Sequence, residues 1–377
     1  MKFGTKLIHS GFEGDKATGA ISTPIYQTST FHQENIDGHV TYDYARSGNP
    51  TREALENTIA LLEGGYKGFA FSSGMAAISS VLSIFSAHDH IIVPKDVYGG
   101  TYRITTQFFS RFEVECEFVD TTDINEVQRA IKKNTKAIYI ETPSNPLMKI
   151  TDIRAIVELA REYKLLVIAD NTFMSPYLQR PLELGADIVV HSATKFLNGH
   201  SDIVAGLVVA KNKELADKIY FVQNAFGAVL SPQDSWLLLR GMKTLKVRLN
   251  YQQNNATELA KWLLLNKFVD RVHYPGMPSH EGREIHLSQA SGAGAVLSFE
   301  ACSTEKAKSF MKKVKCAAVG VSLGGVETIV SYPAKMSHAE IPHNERIKLG
   351  IGDNLIRVSV GLEDIEDLIE NFKIALE

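Results

Sequence analysis

Lys195 follows Ser192, Ala193 and Thr194, so two hydroxyls precede a lysine, by three residues and by one. The quartet comes directly after the apolar run Ala186-Asp187-Ile188-Val189-Val190-His191. Asp170 lies 25 residues before Lys195 and closes a second apolar run, Leu165-Leu166-Val167-Ile168-Ala169. A carboxylate and a lysine at the ends of two neighbouring buried strands suit pyridoxal 5′-phosphate. The amine can bond the aldehyde, the aspartate can keep the pyridine nitrogen protonated, and the hydroxyls can hold the phosphate. Taken singly, a surface lysine after a strand and an aspartate capping a helix are the ordinary readings. The pair, in this order, favours the cofactor.

Other residues fit the same chemistry. Ser72-Ser73-Gly74-Met75 follows the apolar Phe69-Ala70-Phe71 and opens a helix. Free amides and the positive helix end make an anion site there, and Gly74 lets the backbone come close. A plain Ser-capped turn fits these residues too. Tyr98 stands beside Gly99 and Gly100 and can stack on the pyridine ring, or fill a core behind a turn. Tyr44 and Arg46 can both bond phosphate, or form a solvated basic arm. Asn145 ends the Glu141-Thr142-Pro143-Ser144-Asn145-Pro146 stretch and can donate to the 3′-oxygen of the cofactor, although Asn before Pro is common in turns. Arg357 interrupts an apolar strand, Ile356-Arg357-Val358-Ser359-Val360. A buried arginine needs a partner. A substrate carboxylate is one that matches its planar fork, and a structural salt bridge is the competing partner.

These residues need a sheet to present them. At 377 residues the chain exceeds one ordinary hydrophobic core, so a large and a small domain are expected. Residues 1–48 read as an extended arm without helical period. Asn49-Pro50 reads as an N-cap with proline at the first helical position, Leu55, Ile59 and Leu62 as its apolar stripe, and Gly64-Gly65 as its stop. Beyond it, short β-rich runs at residues 91–93, 117–119, 137–140, 165–169 and 187–191 alternate with helical patterns at 74–86, 124–133 and 152–163. The alternation argues a mostly parallel sheet covered by helices. Ligands bind such sheets beyond the carboxyl ends of the strands, where Asp170 and Lys195 fall. Ser231-Pro232 opens a long helical stretch with a break near Gly241. Strands at 295–300, 326–332 and 356–360 and helices at 303–314 and 362–376 complete a smaller α+β domain. The expected limits are 1–48 for the arm, 49–231 for the large domain and 232–377 for the small one.

Composition narrows the function classes. The chain is 44% hydrophobic and 22% charged with a net charge of −3. It shows no basic footprint for nucleic acid or membrane surface. Its three cysteines are odd in number and widely spaced, as in reduced cytosolic proteins. Neither CxxC nor HExxH spacing occurs, so no metal site is expected. The first residues lack the apolar segment of a signal peptide, and a cytoplasmic location is expected.

The motifs Tyr44-Ala45-Arg46-Ser47-Gly48-Asn49-Pro50, Ser73-Gly74-Met75, Tyr98-Gly99-Gly100-Thr101, Glu141-Thr142-Pro143-Ser144-Asn145-Pro146, Asp170-Asn171-Thr172, Ser192-Ala193-Thr194-Lys195 and Ser322-Leu323-Gly324-Gly325 together resemble the Cys/Met-metabolism family of pyridoxal-phosphate enzymes. The resemblance spans nearly the whole chain. It implies fold type I, the aspartate-aminotransferase-like α/β fold, and a homotetramer made of two catalytic dimers. It implies that Lys195 carries the cofactor, with Tyr98 as its catalytic companion, and that Asp170 pairs with the pyridine nitrogen. Gly74, Met75, Ser192 and Thr194 would hold the phosphate, and Tyr44 and Arg46 would reach it from the neighbouring subunit. Tyr98, Asn145, Ser322 and Arg357 would contact the ring or the substrate.

Departures from the family patterns point to one branch. Methionine γ-lyases carry Cys where Gly100 stands. Many γ-synthases and γ-lyases carry Glu where Val321 stands, and commonly Glu in place of Asp43. Enterobacterial β-lyases carry Trp in place of Leu323. Residues 28–34, 194–197, 224–230 and 331–338 are similar to those of Bacillus-type cystathionine β-lyases. The resemblance therefore implies β-elimination of cystathionine, with γ-lyase and then γ-synthase as alternatives. A regulatory protein with a relict cofactor site is a further alternative. It would be expected to have lost Lys195 or gained a DNA-binding module.

Overall fold

The computed structural model describes residues 1–11, 14–33, 38, 40–339 and 341–377; Glu34, part of the 28–34 segment, lies outside them. The alternating strands and helices build a seven-stranded sheet from β1 (Lys67–Phe71), β2 (His90–Pro94), β3 (Glu115–Val119), β4 (Thr135–Glu141), β5 (Leu166–Asp170), β6 (Ile188–Ser192) and β7 (Gly206–Ala210). Their order is β1-β7-β6-β5-β4-β2-β3. The central strands β2 to β6 pair in parallel, while β7 lies antiparallel between β1 and β6. Away from the edge strand β3 the strands are mostly apolar and buried, because both faces are covered. On one face Ile78, Val81 and Leu82 of helix Gly74–Leu82 pack with Leu215 and Ile219 of helix Lys213–Phe226. On the other, Ile153, Ile156, Val157 and Leu159 of helix Ile153–Tyr163 are buried. Each fully buried side chain of this kind contributes about 1.5–3 kcal/mol, so Ile156→Asp would unseat that helix.

Local signals behave as expected around residue 50. Asn49 accepts N–H bonds from Thr51 and Arg52, Pro50 opens helix Pro50–Glu63, and Gly64 ends it at φ 74°. The arm differs from expectation, because Phe3–His9 is a helix. It buries Leu7 and sets Phe3 5.5 Å from Tyr177. Seven residues are too few to show a period, and tertiary packing holds them.

A second sheet has the order β10-β11-β12-β9-β8, built from β8 (Val269–His273), β9 (Val296–Ala301), β10 (Ala318–Val319), β11 (Ile329–Ser331) and β12 (Leu355–Ser359). β11 is shorter than the run 326–332 suggested. Thr328 instead gives its N–H and hydroxyl to the two carboxylate oxygens of Glu363, at 2.6 and 2.7 Å. Helix Leu245–Leu264 joins both cores: Leu245 and Leu249 pack with the large sheet, and Ala256, Leu259 and Leu263 with the small one. Among the described residues, no helix is long and apolar enough to cross a membrane.

Candidate active site

Parallel pairing brings strand ends level. Glu141 on β4 faces Asp170 on β5, and Asp170 faces Val190 on β6. The first turn beyond β6 carries Lys195, whose Nζ donates to Ser322 Oγ at 2.6 Å. Burial, reinforced by the Arg357 cation, brings the lysine down from 10.5 to about 8. A free amine, able to act as nucleophile or base, is thereby accessible near neutral pH.

Asp170 is buried, and burial raises its carboxyl above the ordinary value. Three donors oppose that rise. Thr172 gives its N–H at 3.0 Å and its hydroxyl at 2.5 Å to Oδ1, and Tyr139 OH reaches Oδ2 at 3.2 Å. Thr172 Oγ1 also accepts the Ser192 N–H at 2.9 Å, so one hydroxyl ties the end of β5 to the end of β6. Behind them, fully buried Glu63 accepts from Asn171 at 3.0 Å and contacts His191 Nε2 at 2.6 Å. The immediate neighbours of Asp170 and Ser192 are thus pinned to one carboxylate.

The anion cradle comes from close packing. Ser73 caps helix Gly74–Leu82 by accepting the Ala76 N–H at 3.0 Å. A Cβ on Gly74 would stand 2.9 Å from both Cβ and Oγ of Ser192, and one on Gly206 would stand 2.1 Å from the Ser73 carbonyl. Only glycine lets the helix start approach the end of β6. The Thr194 hydroxyl accepts the Ala205 N–H at 3.0 Å and lies 3.3 Å from its carbonyl, which braces the turn before Lys195.

The opposite wall comes from the small sheet. Arg357 on β12 donates through one Nη to Asn145 Oδ1 at 2.8 Å. Its other Nη donates to the Ser322 carbonyl at 2.6 Å and Ser331 Oγ at 3.0 Å. Because Asn145 accepts through its oxygen, its amide nitrogen is left to donate to a ligand. The Arg357 Nε is buried without a partner, and burial brings this guanidinium down to about 10.

Gly74, Met75, Tyr98, Asn145, Asp170, Ser192, Thr194, Lys195, Ser322 and Arg357 all line one cavity of about 480 Å³, a volume suited to a cofactor with a small substrate. Tyr44 and Arg46 are not in its lining. Both are exposed; Arg46 lies over the Tyr44 ring at 5.2 Å and donates to Asn224 Oδ1 at 3.3 Å. The lining also holds residues that sequence reasoning did not single out, among them Thr172, Glu141 and Ser331. Glu141 ends an apolar strand just as Asp170 does, and that signal was open to the same reading.

The residues present fit pyridoxal phosphate. The cradle at Gly74 admits no Cβ, the Arg357 guanidinium lines the cavity with one buried N–H unpartnered, and the lysine is held half-buried with a lowered affinity for its proton. The chain is similar to known proteins over its whole length. The cystathionine beta-lyase of Bacillus subtilis (strain 168) is 56% identical over 373 residues, covering 99% of this chain and 96% of that one. The cystathionine gamma-lyase of the same organism is 51% identical over 377 residues, all of both chains. The crystal structure of cystathionine gamma-lyase from Lactobacillus plantarum complexed with L-serine matches with a TM-score of 0.98 at 49% identity, covering 100% of this chain and 98% of that one. The model of the family described as Cys/Met metabolism PLP-dependent enzyme matches residues 4–377. A match of that extent, on a site already shaped for the cofactor, places this chain in the Cys/Met metabolism family of enzymes, with pyridoxal phosphate as its cofactor.

Proposed function

We propose that the enzyme is a carbon–sulfur lyase that cleaves L-cystathionine by β-elimination, with water, to homocysteine, pyruvate and ammonia. When bound, pyridoxal phosphate supplies an aldehyde for the substrate amine and a sink for the electrons left on Cα. Lys195 would hold the cofactor and, once released, take the Cα proton on Nζ. Asp170 would hold the pyridine nitrogen protonated. Gly74, Met75, Ser192 and Thr194 would hold the phosphate, Tyr98 would stack on the ring, and Asn145 would donate to its oxygen. Arg357 would grip the substrate carboxylate with its guanidinium, while Ser322 keeps Lys195 in place.

The observation that carries the choice of bond is Val321. It lines the cavity beside Ser322 and is 68% exposed. Removal of the Cα proton suffices for β-elimination, whereas γ-elimination also needs a proton taken from Cβ. Valine can neither give nor take one. The 56% identity to a cystathionine beta-lyase supports this reading. The full-length likeness to gamma-lyases supports the second reading, γ-cleavage to cysteine, 2-oxobutyrate and ammonia, and a γ-synthase is the third. Chromatography of the keto acids formed from L-cystathionine tests the choice: pyruvate is expected, and a predominance of 2-oxobutyrate would overturn it.

The proposal includes a homotetramer of two catalytic dimers, in which the arm of residues 1–48 carries Tyr44 and Arg46 to the cavity of a neighbouring copy. Residues 49–231 form the cofactor-binding domain in this reading, and 232–377 the smaller one. The exposure of both arm residues outside their own chain's cavity supports it. A cytoplasmic setting suits the free thiols Cys116, Cys302 and Cys316.

A further inference from the structure

Glu141 is the carboxylate in the cavity for which the reaction above has no use. It ends β4 in register with Asp170, lines the same cavity and is 6% exposed. Both of its oxygens are engaged by main chain. Oε2 accepts the Tyr98 N–H at 3.1 Å, and Oε1 accepts the Asn145 N–H at 3.3 Å. Tyr98 stands at the start of the short helix Gly99–Arg103 after β2, and Asn145 belongs to the turn after β4, so one side chain spans two segments distant in sequence. Those segments carry the aromatic ring and the amide that flank the cofactor site. Burying a carboxylate is costly unless donors satisfy it. Burial, and then the neighbouring Asp170, push Glu141 well above the ordinary carboxylate range. Two amide donors and the Arg357 cation act the other way. A strand end that needed only a cap would not require a second buried carboxylate so close to Asp170.

We propose that Glu141 is a positioning residue that sets the Tyr98 ring and the Asn145 amide against the cofactor by gripping the main-chain N–H of each. The inference rests on the pyridoxal phosphate site and not on which carbon–sulfur bond breaks. An amide at position 141 keeps the shape but turns an NH2 group toward one of the two N–H donors.

The test uses holoenzyme loaded with pyridoxal phosphate and L-alanine, an amino acid with no group to eliminate, whose binding is followed by the change in cofactor absorbance. Glu141→Gln is expected to retain stoichiometric cofactor and to show a shifted absorbance maximum. Its dissociation constant for L-alanine should rise up to about tenfold, the scale of one ordinary hydrogen bond, and KM for cystathionine should rise more than kcat falls. In a Tyr98→Ala background the same substitution should cost less, because part of what Glu141 positions is gone. A wild-type spectrum with an L-alanine constant within about twofold of wild type, or full additivity in the double variant, would overturn the proposal. If Glu141→Gln does not fold, Glu141→Asp is measured in the same way, and a wild-type constant there overturns it as well. If neither folds, Glu141 is structural and the proposal fails. A switch of product to 2-oxobutyrate would sink the β-lyase reading and leave this one standing.

Discussion

Arg357 and Arg248 are 3% and 4% exposed, and burial brings each down to about 10, but the regions around them are built for different purposes. Arg248 sits in helix Leu245–Leu264, behind the Lys195 turn. Its Nε donates to Thr244 Oγ1 at 3.0 Å, one Nη to the Phe196 carbonyl at 2.9 Å, and the other to the carbonyls of Gly241 at 2.9 Å and Leu197 at 3.4 Å. Even a Cβ on Gly199 would stand 2.1 Å from it. It staples the turn that follows Lys195 to the long helix. Arg357 forms the cavity wall and has its Nε unpartnered. A guanidinium with every nitrogen bonded to protein away from the cavity holds a frame, whereas one that lines the cavity stands where a ligand can meet it.

The largest effect belongs to the cavity side. Lys195→Ala should lower turnover roughly 10³-fold or more and abolish the visible absorbance of bound cofactor, with the fold intact. Near wild-type keto acid release from that variant would remove the functional half of the comparison. Next come the arginines themselves. Arg357→Lys keeps the charge and loses the fork, so KM should rise about 10-fold to 100-fold, the equivalent of about 1.5–3 kcal/mol, with the thermal midpoint nearly unchanged. Arg248→Lys should do the reverse. Carbonyls left without donors cost about 1–3 kcal/mol of stability, and KM of the folded fraction should stay put. Lost folding with unchanged KM in Arg357→Lys would put both arginines in one structural class.

A pH experiment sharpens the same contrast, because a site poised for chemistry costs stability. In protein stripped of cofactor, Lys195 titrates near 8 when folded and near 10.5 when unfolded. Below about pH 8 both states carry the proton, and the folded state bears the full burial cost. Between 8 and 10.5 only the unfolded state keeps it, so the cost shrinks as pH rises, and above 10.5 none is left. Lys195→Met should therefore raise stability below pH 8, by on the order of 1 kcal/mol or more, and the gain should fade toward pH 10.5 in paired thermal melts. A gain constant across that range would assign the effect to packing. The smallest effect concerns the arm. Arg46→Ala should weaken cofactor retention about tenfold, the scale of one charge-assisted hydrogen bond. Mixing it with Lys195→Ala protein should restore part of the activity if subunits exchange and share sites. A fully active monomer in cross-linking would sink the shared site.

Much of this molecule was legible from the chain alone, and what was not has a common physical cause. The Asn49-Pro50 start and Gly64 stop, the apolar strands ending at Asp170 and Ser192, and the Ser-capped helix at Gly74 rest on capping, φ preference and periodicity. All of these act within a turn or a strand length. Lys195 and Asp170 were visible for that reason, and with them the cofactor. Tertiary structure alone decided what faces them. Arg357 meets Asn145 across 212 residues, and Ser322 meets Lys195 across 127. The short helix Phe3–His9, the antiparallel place of β7 and the grip of Glu141 on Tyr98 likewise depend on how sheets and helices pack. Local propensity selects the elements, and only burial of both faces of the large sheet and docking of the small one select which strand ends share a cavity.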